Sequence, residues 1–219
     1  MDKILKKQHL SDSLKLLASC FYQPEKKLFE EEKVCQNLHD LFEHFSTEAQ
    51  SSASCMSAAM QNSSEEELQI AHAQLFVGPF ELKASPYGST YLEKTRRIMG
   101  DSTMEVLKHY QKAGLEVDIK QPPDHIAIEL EFLSYLCALE AESLHNGDIK
   151  KAAELQAEQK LFLDRYILPW APQFAQNIRS GTKCKFYLCL ADCFEFFLKQ
   201  LATADNSKSM REYADPTTH

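Results

Sequence analysis

Residues that break helices are scarce in this chain and are gathered in a few places. It contains six glycines and eight prolines among 219 residues, and no glycine precedes Gly78. Several of these residues cluster at 78–88, 122–123 and 169–172. An all-β fold needs a turn roughly every 8–12 residues, so the sequence predicts long helices instead. We expect an all-α, single-domain bundle of about nine to eleven helices.

Hydrophobic periodicity places the first predicted helices. An apolar stripe at helical spacing runs from Leu10 to Phe21 and ends before Pro24. A second stripe, from Val34 to Phe45, lies in a helix expected over 25–48. Residues 46–64 are rich in Ser and Ala, which predicts a loop or a short, loosely held helix.

Capping signals mark two further helix starts. Ser64 with Glu67 and Ser102 with Glu105 have the spacing of a capping box, in which the two side chains satisfy each other's backbone N–H groups. Gly114 is a predicted helix stop.

The most apolar helix is expected over 124–145, with Asp124 as its N-cap. Apolar residues cover so much of its circumference that we expect it to lie centrally in the bundle. Residues 1–204 form the predicted domain, and the polar residues 205–219 are expected to be a disordered tail.

The charge balance narrows the class of partner. The chain carries 32 acidic and 24 basic residues, a net charge of −8. It lacks the clustered cations that nucleic-acid binding requires, so we expect no nucleic-acid partner. An acidic body favours cationic ligands such as basic peptides, although a net charge of this size also serves solubility alone.

Cysteine content and the apolar segments indicate a cytosolic protein. The seven cysteines are odd in number and several lie on apolar helical faces, which predicts reduced, buried thiols rather than a disulfide framework. The first residues carry no apolar signal-peptide core. The longest apolar stretch, 186–198, is interrupted by acidic residues, so we expect no stable membrane insertion.

Signals for metal or catalytic chemistry are weak. Cys35 and His39 are four residues apart, and Glu142 with His145 is half of the motif that di-iron helix bundles use. Neither has a second pair at matching spacing. The chain also lacks a nucleophile elbow and a glycine-rich phosphate loop. We expect no catalytic residue, metal or cofactor. The alternative from a different class is a helical di-metal enzyme built on Glu142, His145 and further carboxylates.

Residues 80–91 form one of two segments that core packing does not explain. Exposed aromatic side chains beside a glycine suit peptide recognition, although such a loop also commonly folds its own side chains inward. The candidate binding residues here are Leu82, Pro86, Tyr87, Gly88, Ser89 and Tyr91.

The second segment is the entry to the apolar helix, where Pro122 and Pro123 precede Asp124 and His125. At a helix N-terminus the charged form of His125 is disfavoured. An N-cap and a proline-set entry angle account for these residues structurally. An Asp-His pair beside Glu129 and Glu131 would also offer hydrogen-bond acceptors to a cationic guest.

Three separated motifs, in order along the chain, are shared with one known family. They are residues 85–92 (SPYGSTYL), similar to a Pro-Trp-Gly-Ser-Val-Tyr loop with Tyr87 at the Trp position, residues 122–133 (PPDHIAIELEFL), and residues 166–172 (YILPWAP), similar to a His-Leu-x-Pro-Trp turn with Tyr166 in place of His. Residues 75–79 match the helix end before the loop. Over roughly residues 10–202 the chain resembles the TorD/DmsD/NarJ family of molybdoenzyme-maturation chaperones, most closely its DmsD- and TorD-like members.

The resemblance implies a non-enzymatic, all-helical cytosolic chaperone. Such a protein binds the twin-arginine signal peptide of a molybdenum-cofactor oxidoreductase and holds the apoenzyme until its cofactor is inserted, before export. A NarJ-like chaperone for a non-exported, membrane-bound reductase is the alternative within the family. The implied partners are the signal peptide and the apo form of a molybdopterin oxidoreductase, bound by a monomer or a helix-exchanged dimer.

The resemblance also implies roles for individual residues. Asp124 and His125 would form the polar centre of the signal-peptide site, and Glu129 would add a nearby acceptor. The adjoining wall would consist of Pro86, Tyr87, Gly88, Ser89 and Tyr91, with Leu82 nearby. GTP binding is ascribed to some members, but no phosphate loop is visible here, so we expect no cofactor.

Overall fold

The computed structural model of the chain describes residues 2–78, 82–93, 98–116 and 121–213, with side chains through residue 203. These ranges contain eleven α-helices, two short π-helical turns and no β-strand. The helices are α1 (Lys3–Ser19), α2 (Lys26–Glu31), α3 (Val34–Phe42), α4 (Thr47–Asn62), α5 (Glu65–His72), α6 (Ser89–Leu92), α7 (Asp101–Lys112), α8 (Ile126–His145), α9 (Ile149–Phe162), α10 (Ala171–Gly181) and α11 (Lys185–Tyr213). The π-turns Ala73–Val77 and Leu163–Ile167 continue α5 and α9. The predicted all-α bundle is confirmed.

The bundle is organised around α8 and α11. Helix α8 packs against α1 and α9, α11 packs against α4 and α10, and α3 contacts both α1 and α4. Aromatic rings fill the space between these helices. The ring of Phe21 lies 5.4 Å from that of Phe194, 5.6 Å from Phe174 and 6.2 Å from Phe76. This cluster joins the end of α1 to α10, α11 and the first π-turn. The central position predicted for α8 is confirmed by its packing against α1 and α9 and by its many buried residues.

The prediction for residues 46–64 is wrong, because this segment forms the regular helix α4. Ser46 is its N-cap and accepts a hydrogen bond from the Ala49 N–H at 3.1 Å. Ala49, Ala53 and Met56 are fully buried. Alanine has the highest helix propensity, and small side chains let α4 lie close to α11. The serines occupy the other faces, which hides the apolar stripe in the sequence.

The single helix expected over 25–48 is interrupted. Lys33 adopts a left-handed conformation with φ of 49° and separates α2 from α3. No glycine marks this break, so the sequence gives no signal for it.

The two predicted capping boxes have different outcomes. The box at Ser64 and Glu67 is confirmed. The box at Ser102 is wrong, because Gly100 is the N-cap of α7 and Ser102 instead donates two hydrogen bonds to Glu93. Gly114 follows α7 with φ of 78°, as expected for a helix stop.

The prediction that every cysteine is a reduced thiol is wrong for one pair. Cys55 on α4 and Cys189 on α11 form a disulfide. Their Cα atoms are 5.8 Å apart, a separation that disulfides commonly span. The pairing arises because α4 and α11 pack side by side, a contact between residues 134 positions apart. The remaining five cysteines stay as thiols.

The predicted tail is only partly covered by the described residues. The α11 backbone continues to Tyr213, and residues 214–219 lie outside the described ranges. Disorder of 205–219 therefore stays a prediction. Within the described ranges, none of the helices is both long enough and apolar enough to cross a membrane.

A buried ion pair fastens α1 to α8 and α9. The Lys7 ammonium lies 2.7 Å from Oε2 of Glu140, whose side chain is fully buried. The Gln159 amide donates a hydrogen bond to the same oxygen at 2.9 Å. Removing one partner of such a pair is costly, because the other charge remains buried.

We expect Lys7→Met to lower the free energy of unfolding by about 3 kcal/mol in urea denaturation. Lys6→Met, at an exposed position of the same helix, should change it by less than about 0.5 kcal/mol. Adding Glu140→Leu to Lys7→Met should recover most of the loss, because no buried charge then remains. Equal effects of the two lysine substitutions would show that the pair contributes nothing.

Candidate functional site

Two segments that the sequence treats separately are joined by backbone hydrogen bonds. The Gly88 N–H donates to the Asp124 carbonyl at 2.9 Å, and the Ile126 N–H donates to the Pro86 carbonyl at 2.8 Å. Tyr87 and His125 thereby form an isolated antiparallel bridge. The loop before α6 and the entry to α8 are therefore parts of a single site.

The predicted role of Asp124 as the N-cap of the central helix is wrong. Its carboxylate oxygen Oδ2 accepts a hydrogen bond from the Ser89 N–H at 2.8 Å, so it serves the first turn of α6. The N-cap of α8 is His125, whose Nδ1 accepts from the Ala127 N–H at 3.2 Å. Asp124 is thus a tie between the two segments, and its side chain is buried.

His125 lies between two tyrosine rings. The Tyr22 ring, just after α1, is parallel to the imidazole with centroids 5.9 Å apart, and the Tyr87 ring meets it edge to face at 5.4 Å. Both tyrosines are partly exposed, whereas His125 is buried. We call this group the Tyr22–His125–Tyr87 cluster. Sequence reasoning missed Tyr22, because its spacing gives no sign that the end of α1 reaches a residue 103 positions later.

The environment of His125 keeps its imidazole neutral at physiological pH. Burial, followed by the charge on His72, lowers the pKa of His125 from 6.5 to about 4. The prediction that its charged form is disfavoured is therefore confirmed, but the main cause is burial rather than the helix N-terminus. A neutral ring does not repel a cation, so the cluster is compatible with a positively charged guest.

Two acidic side chains lie beneath the loop. Glu129 is fully buried, and neither of its carboxylate oxygens has a hydrogen-bond partner among the described residues; the same holds for Oδ1 of Asp124. Burial and the charge on Asp124 raise the pKa of Glu129 well above its usual value. The acceptors predicted at Asp124 and Glu129 exist, but they are covered rather than open to solvent.

Gly88 is required by a close approach rather than by an unusual backbone angle. A Cβ atom at this position would lie 3.1 Å from Nε1 of Trp170 and 3.6 Å from Oε1 of Glu129. The loop therefore rests directly on the Trp170 indole, with Glu129 behind it. Gly88 and Glu129 support the site from below and do not form its surface.

The remaining predicted residues divide between support and surface. Pro86 and Ser89 are buried, whereas Tyr91 and Leu82 are partly exposed. The Tyr91 ring stacks on Trp170 at 5.1 Å. Half of the six binding residues predicted in the loop are therefore buried. The partly exposed half includes the two aromatic residues, Tyr87 and Tyr91. Phe80, at the start of the predicted loop, lies outside the described residues.

A groove that sequence reasoning missed lies between α1, α2 and α3. Its volume is about 690 Å³. The apolar side chains along it include Leu16, Leu28, Phe29, Val34 and Leu41, and the charged ones are Asp12, Lys15, Glu32 and Asp40. Among these apolar lining residues, only Leu28 is exposed, with 46% of its surface accessible to solvent.

The candidate metal ligands do not come together. Within the described ranges, no three His, Cys, Asp or Glu side chains converge in a way that could hold a metal ion. His39 instead contacts the Ser54 hydroxyl at 2.7 Å. Absence of a metal or cofactor remains a prediction.

Comparison with known proteins places the chain in a family. The family model for the nitrate reductase delta subunit matches residues 31–176, which include the loop, the entry to α8 and the turn at Trp170. The chain belongs to this family.

Individual relatives of the delta-subunit family carry chaperone names. The chain is 27% identical over 135 residues to the chaperone protein TorD of Aliivibrio salmonicida, covering 61% of each chain. It is 26% identical over 147 residues to the Tat proofreading chaperone DmsD of Salmonella typhi, covering 66% of this chain and 65% of that protein. The aligned parts thus span less than two thirds of these relatives.

A solved structure supports the fold. The chain matches a protein from Archaeoglobus fulgidus described as a redox enzyme maturation protein, with a TM-score of 0.53 and 22% identity, covering 84% of this chain and 91% of that one. At this level of identity the match shows that the two chains share a fold, and it shows nothing about function.

The low pKa of His125 gives a pH-dependent contribution to stability. The unfolded state takes up a proton as the pH falls below about 6.5, while the folded state resists protonation until about 4. We therefore expect the wild type to lose about 2 kcal/mol relative to His125→Asn between pH 7.5 and pH 5.0, since asparagine preserves an N-cap acceptor without titrating. Urea denaturation at both pH values measures this difference. A difference that does not change with pH would contradict a buried neutral imidazole.

Proposed function

We propose that this protein is a cytosolic assembly chaperone that binds the twin-arginine signal peptide of a molybdenum-cofactor oxidoreductase. It holds the apoenzyme until the cofactor is inserted, and export follows. Family membership and the chaperone names of its relatives support this assignment. The observation that carries it is the partly exposed aromatic cluster in which Tyr22 and Tyr87 enclose the neutral His125, with Tyr87 and His125 contributed by two of the family motifs.

The chemistry of the cluster suits a basic peptide. The faces of Tyr22 and Tyr87 attract cations through their ring quadrupoles, and the neutral imidazole between them adds no repulsion. The local acidic groups lie beneath or beside the rings. A twin-arginine signal begins with such a basic segment, and an apolar stretch follows it.

The groove between α1, α2 and α3 provides apolar surface for that stretch. Ser19, the last residue of α1, lines this groove and precedes Tyr22 of the cluster by three positions in the chain. Its lining contains three acidic side chains and one lysine, so the groove carries excess negative charge. This charge is complementary to a peptide segment that is both basic and apolar. We propose that the apolar part of the signal peptide packs there.

We expect Tyr87→Ala to weaken binding of a synthetic twin-arginine signal peptide, taken from a molybdopterin oxidoreductase precursor of the same genome, by about tenfold in calorimetric titration. The substitution removes one face of the cluster without removing the Asp124–Ser89 hydrogen bond. Tyr135→Ala is the control, since Tyr135 is a half-buried tyrosine on α8 about 15 Å from His125 along the helix. Replacing Asp124 itself would confound the test, because its carboxylate ties the loop to α8.

The controls on the peptide separate the competing functions. Weaker binding after both arginines are replaced by glutamine supports the proposal. Unchanged binding would favour a NarJ-like chaperone for a non-exported reductase, whose client lacks the arginine pair. Stoichiometric iron, manganese or zinc in protein purified without chelators would overturn the chaperone assignment in favour of a di-metal enzyme.

The groove yields a separate prediction. Leu28→Glu places a carboxylate on its apolar wall and should weaken binding of the same peptide about fivefold or more, because a charged group must then be desolvated. Ile149→Glu is matched to it, since Ile149 is an exposed apolar residue, 65% accessible, at the start of α9 outside the groove. Both variants should unfold at similar temperatures. Equal peptide affinities of the two variants would show that the apolar stretch binds elsewhere.

A further inference from the structure

His109 on α7 lies at the centre of a hydrogen-bond network that the functional site has not yet used. Its Nδ1 is 2.5 Å from Oε1 of Glu158 on α9, and its Nε2 is 3.3 Å from the hydroxyl of Tyr166 in the second π-turn. The His109 and Tyr166 rings also meet edge to face, with centroids 5.2 Å apart. His109 therefore connects α9 to the turn that precedes Trp170.

Both ends of this network are charged. Glu158 also accepts a hydrogen bond from the Lys112 ammonium at 3.0 Å. At the other end, Oε2 of Glu105 accepts from the Tyr166 hydroxyl at 3.1 Å and from the Arg165 guanidinium at 2.7 Å. The network thus runs from Glu158 to Glu105, with one imidazole and one phenol between the two carboxylates.

The Tyr166 hydroxyl carries one proton and has two acceptors within reach. Burial and the hydrogen bond to Glu105 raise the pKa of Tyr166, so the phenol keeps that proton. Burial raises the pKa of Glu158, but the hydrogen bonds from His109 and Lys112 outweigh it, so the pKa is lowered and the carboxylate only accepts. Nδ1 of His109 therefore carries a hydrogen and donates it.

The charge on His109 decides where the Tyr166 proton goes. In a neutral imidazole that donates through Nδ1, Nε2 is an acceptor and competes with Glu105 for the proton. In the protonated ring, Nε2 donates to the Tyr166 oxygen, and the tyrosine proton is left to Glu105. Only the protonated state makes every contact from Glu158 to Glu105 a hydrogen bond at once.

Tyr166 also holds the indole on which the site loop rests. Its carbonyl accepts a hydrogen bond from the Trp170 indole N–H. The Tyr91 ring stacks on Trp170, and Gly88 lies so close that an added Cβ would be 3.1 Å from Nε1 of the indole. A shift of the Tyr166 turn is therefore passed to the loop through Trp170.

We propose that His109 and Tyr166 are positioning residues for the peptide site, and that protonation of His109 fixes the Tyr166 turn and, through Trp170, the loop that carries Tyr87. This inference rests on the proposed function. It adds a control on the site from residues that contact neither the Tyr22–His125–Tyr87 cluster nor the groove.

Solvent reaches the imidazole through a cleft of about 430 Å³ between α7 and α9, and 17% of the His109 side chain is accessible. The ring can therefore exchange protons in the folded state. Helix α8 contributes the apolar Leu136 to the cleft. The charged and titratable groups around the ring and the cleft are Glu105 and Lys112 of α7, Lys151, Glu154 and Glu158 of α9, and Arg165 and Tyr166 of the π-turn.

Trp170 is the only tryptophan in the chain, so tryptophan fluorescence reports on this indole alone. We expect the emission of the peptide-free wild type to show a transition between pH 5.5 and pH 8.5, the range in which histidine side chains ordinarily change charge. His109→Gln keeps hydrogen-bonding groups without titrating, and Tyr166→Phe keeps the ring without the hydroxyl. Both should lose the transition. His145→Gln, at an exposed histidine on α8, should retain it.

Peptide binding supplies the functional readout. In calorimetric titration, the wild type and His145→Gln should bind the twin-arginine signal peptide about fivefold more tightly at pH 6 than at pH 8. His109→Gln and Tyr166→Phe should bind it with the same affinity at both pH values. The ring of His125 has a pKa of about 4 and stays neutral at both.

The outcomes separate this inference from the proposed function. A wild type without an emission transition, or a transition that persists in His109→Gln, would show that His109 does not act on Trp170. A transition lost in His109→Gln but kept in Tyr166→Phe would show that the imidazole acts without the hydroxyl, and the route through Tyr166 is then wrong. Peptide affinity that does not change with pH overturns the positioning role while the chaperone function stands. If the wild type binds no twin-arginine peptide at either pH, both proposals are overturned.

Discussion

The hydrogen bond from the Ser89 backbone N–H to the buried Asp124 carboxylate holds the site together. It joins segments 35 residues apart, and the bridge between Tyr87 and His125 runs beside it. A charged acceptor buried with a backbone donor makes a strong bond, and leaving either group unpaired would be costly. The position of Tyr87 over His125, and hence the aromatic surface, depends on this contact.

The buried carboxylates of the described residues differ in their pairing. Outside the site, the buried carboxylate of Glu140 forms an ion pair with Lys7. Beneath the loop, Glu129 is buried without a hydrogen-bond partner among the described residues, and its pKa is raised accordingly. Such an arrangement lowers stability, and local violations of this kind are typical of functional sites. The energetic cost falls at the place where the family motifs meet.

The sequence predicts the positions of most helices, but it says little about which helices pack against each other. Clustered breakers located the interruptions at 78–88, 122–123 and 169–172, because glycine and proline act locally. Lys33 broke a predicted helix without such a signal, and α4 was missed because serine hides an alanine stripe. These errors arise where tertiary packing decides the local structure.

The difference between local signals and long-range contacts also explains which parts of the site could be predicted. The loop and the entry to α8 could be recognised as motifs, but nothing in either showed that Asp124 would serve α6 rather than α8. Tyr22 carried no motif at all, since its role depends on how α1 packs against α8. A pairing between distant segments is a property of the fold, so sequence reasoning can nominate residues but cannot assign their partners.

The layered arrangement suits the proposed function, in which a bound peptide is later released. The residues that would meet a peptide, Tyr22 and Tyr87, are partly exposed, and a cation–π contact at such a site is worth only about 0.5–1 kcal/mol. The rigid part, from Asp124 to Trp170, lies beneath and is in place before binding, so little ordering of the protein opposes association. Burial of ~600 Å² of apolar peptide surface would give ~15 kcal/mol gross, and ordering the peptide removes much of this. A net of ~8 kcal/mol corresponds to micromolar affinity, strong enough to shield a client and weak enough to hand it on.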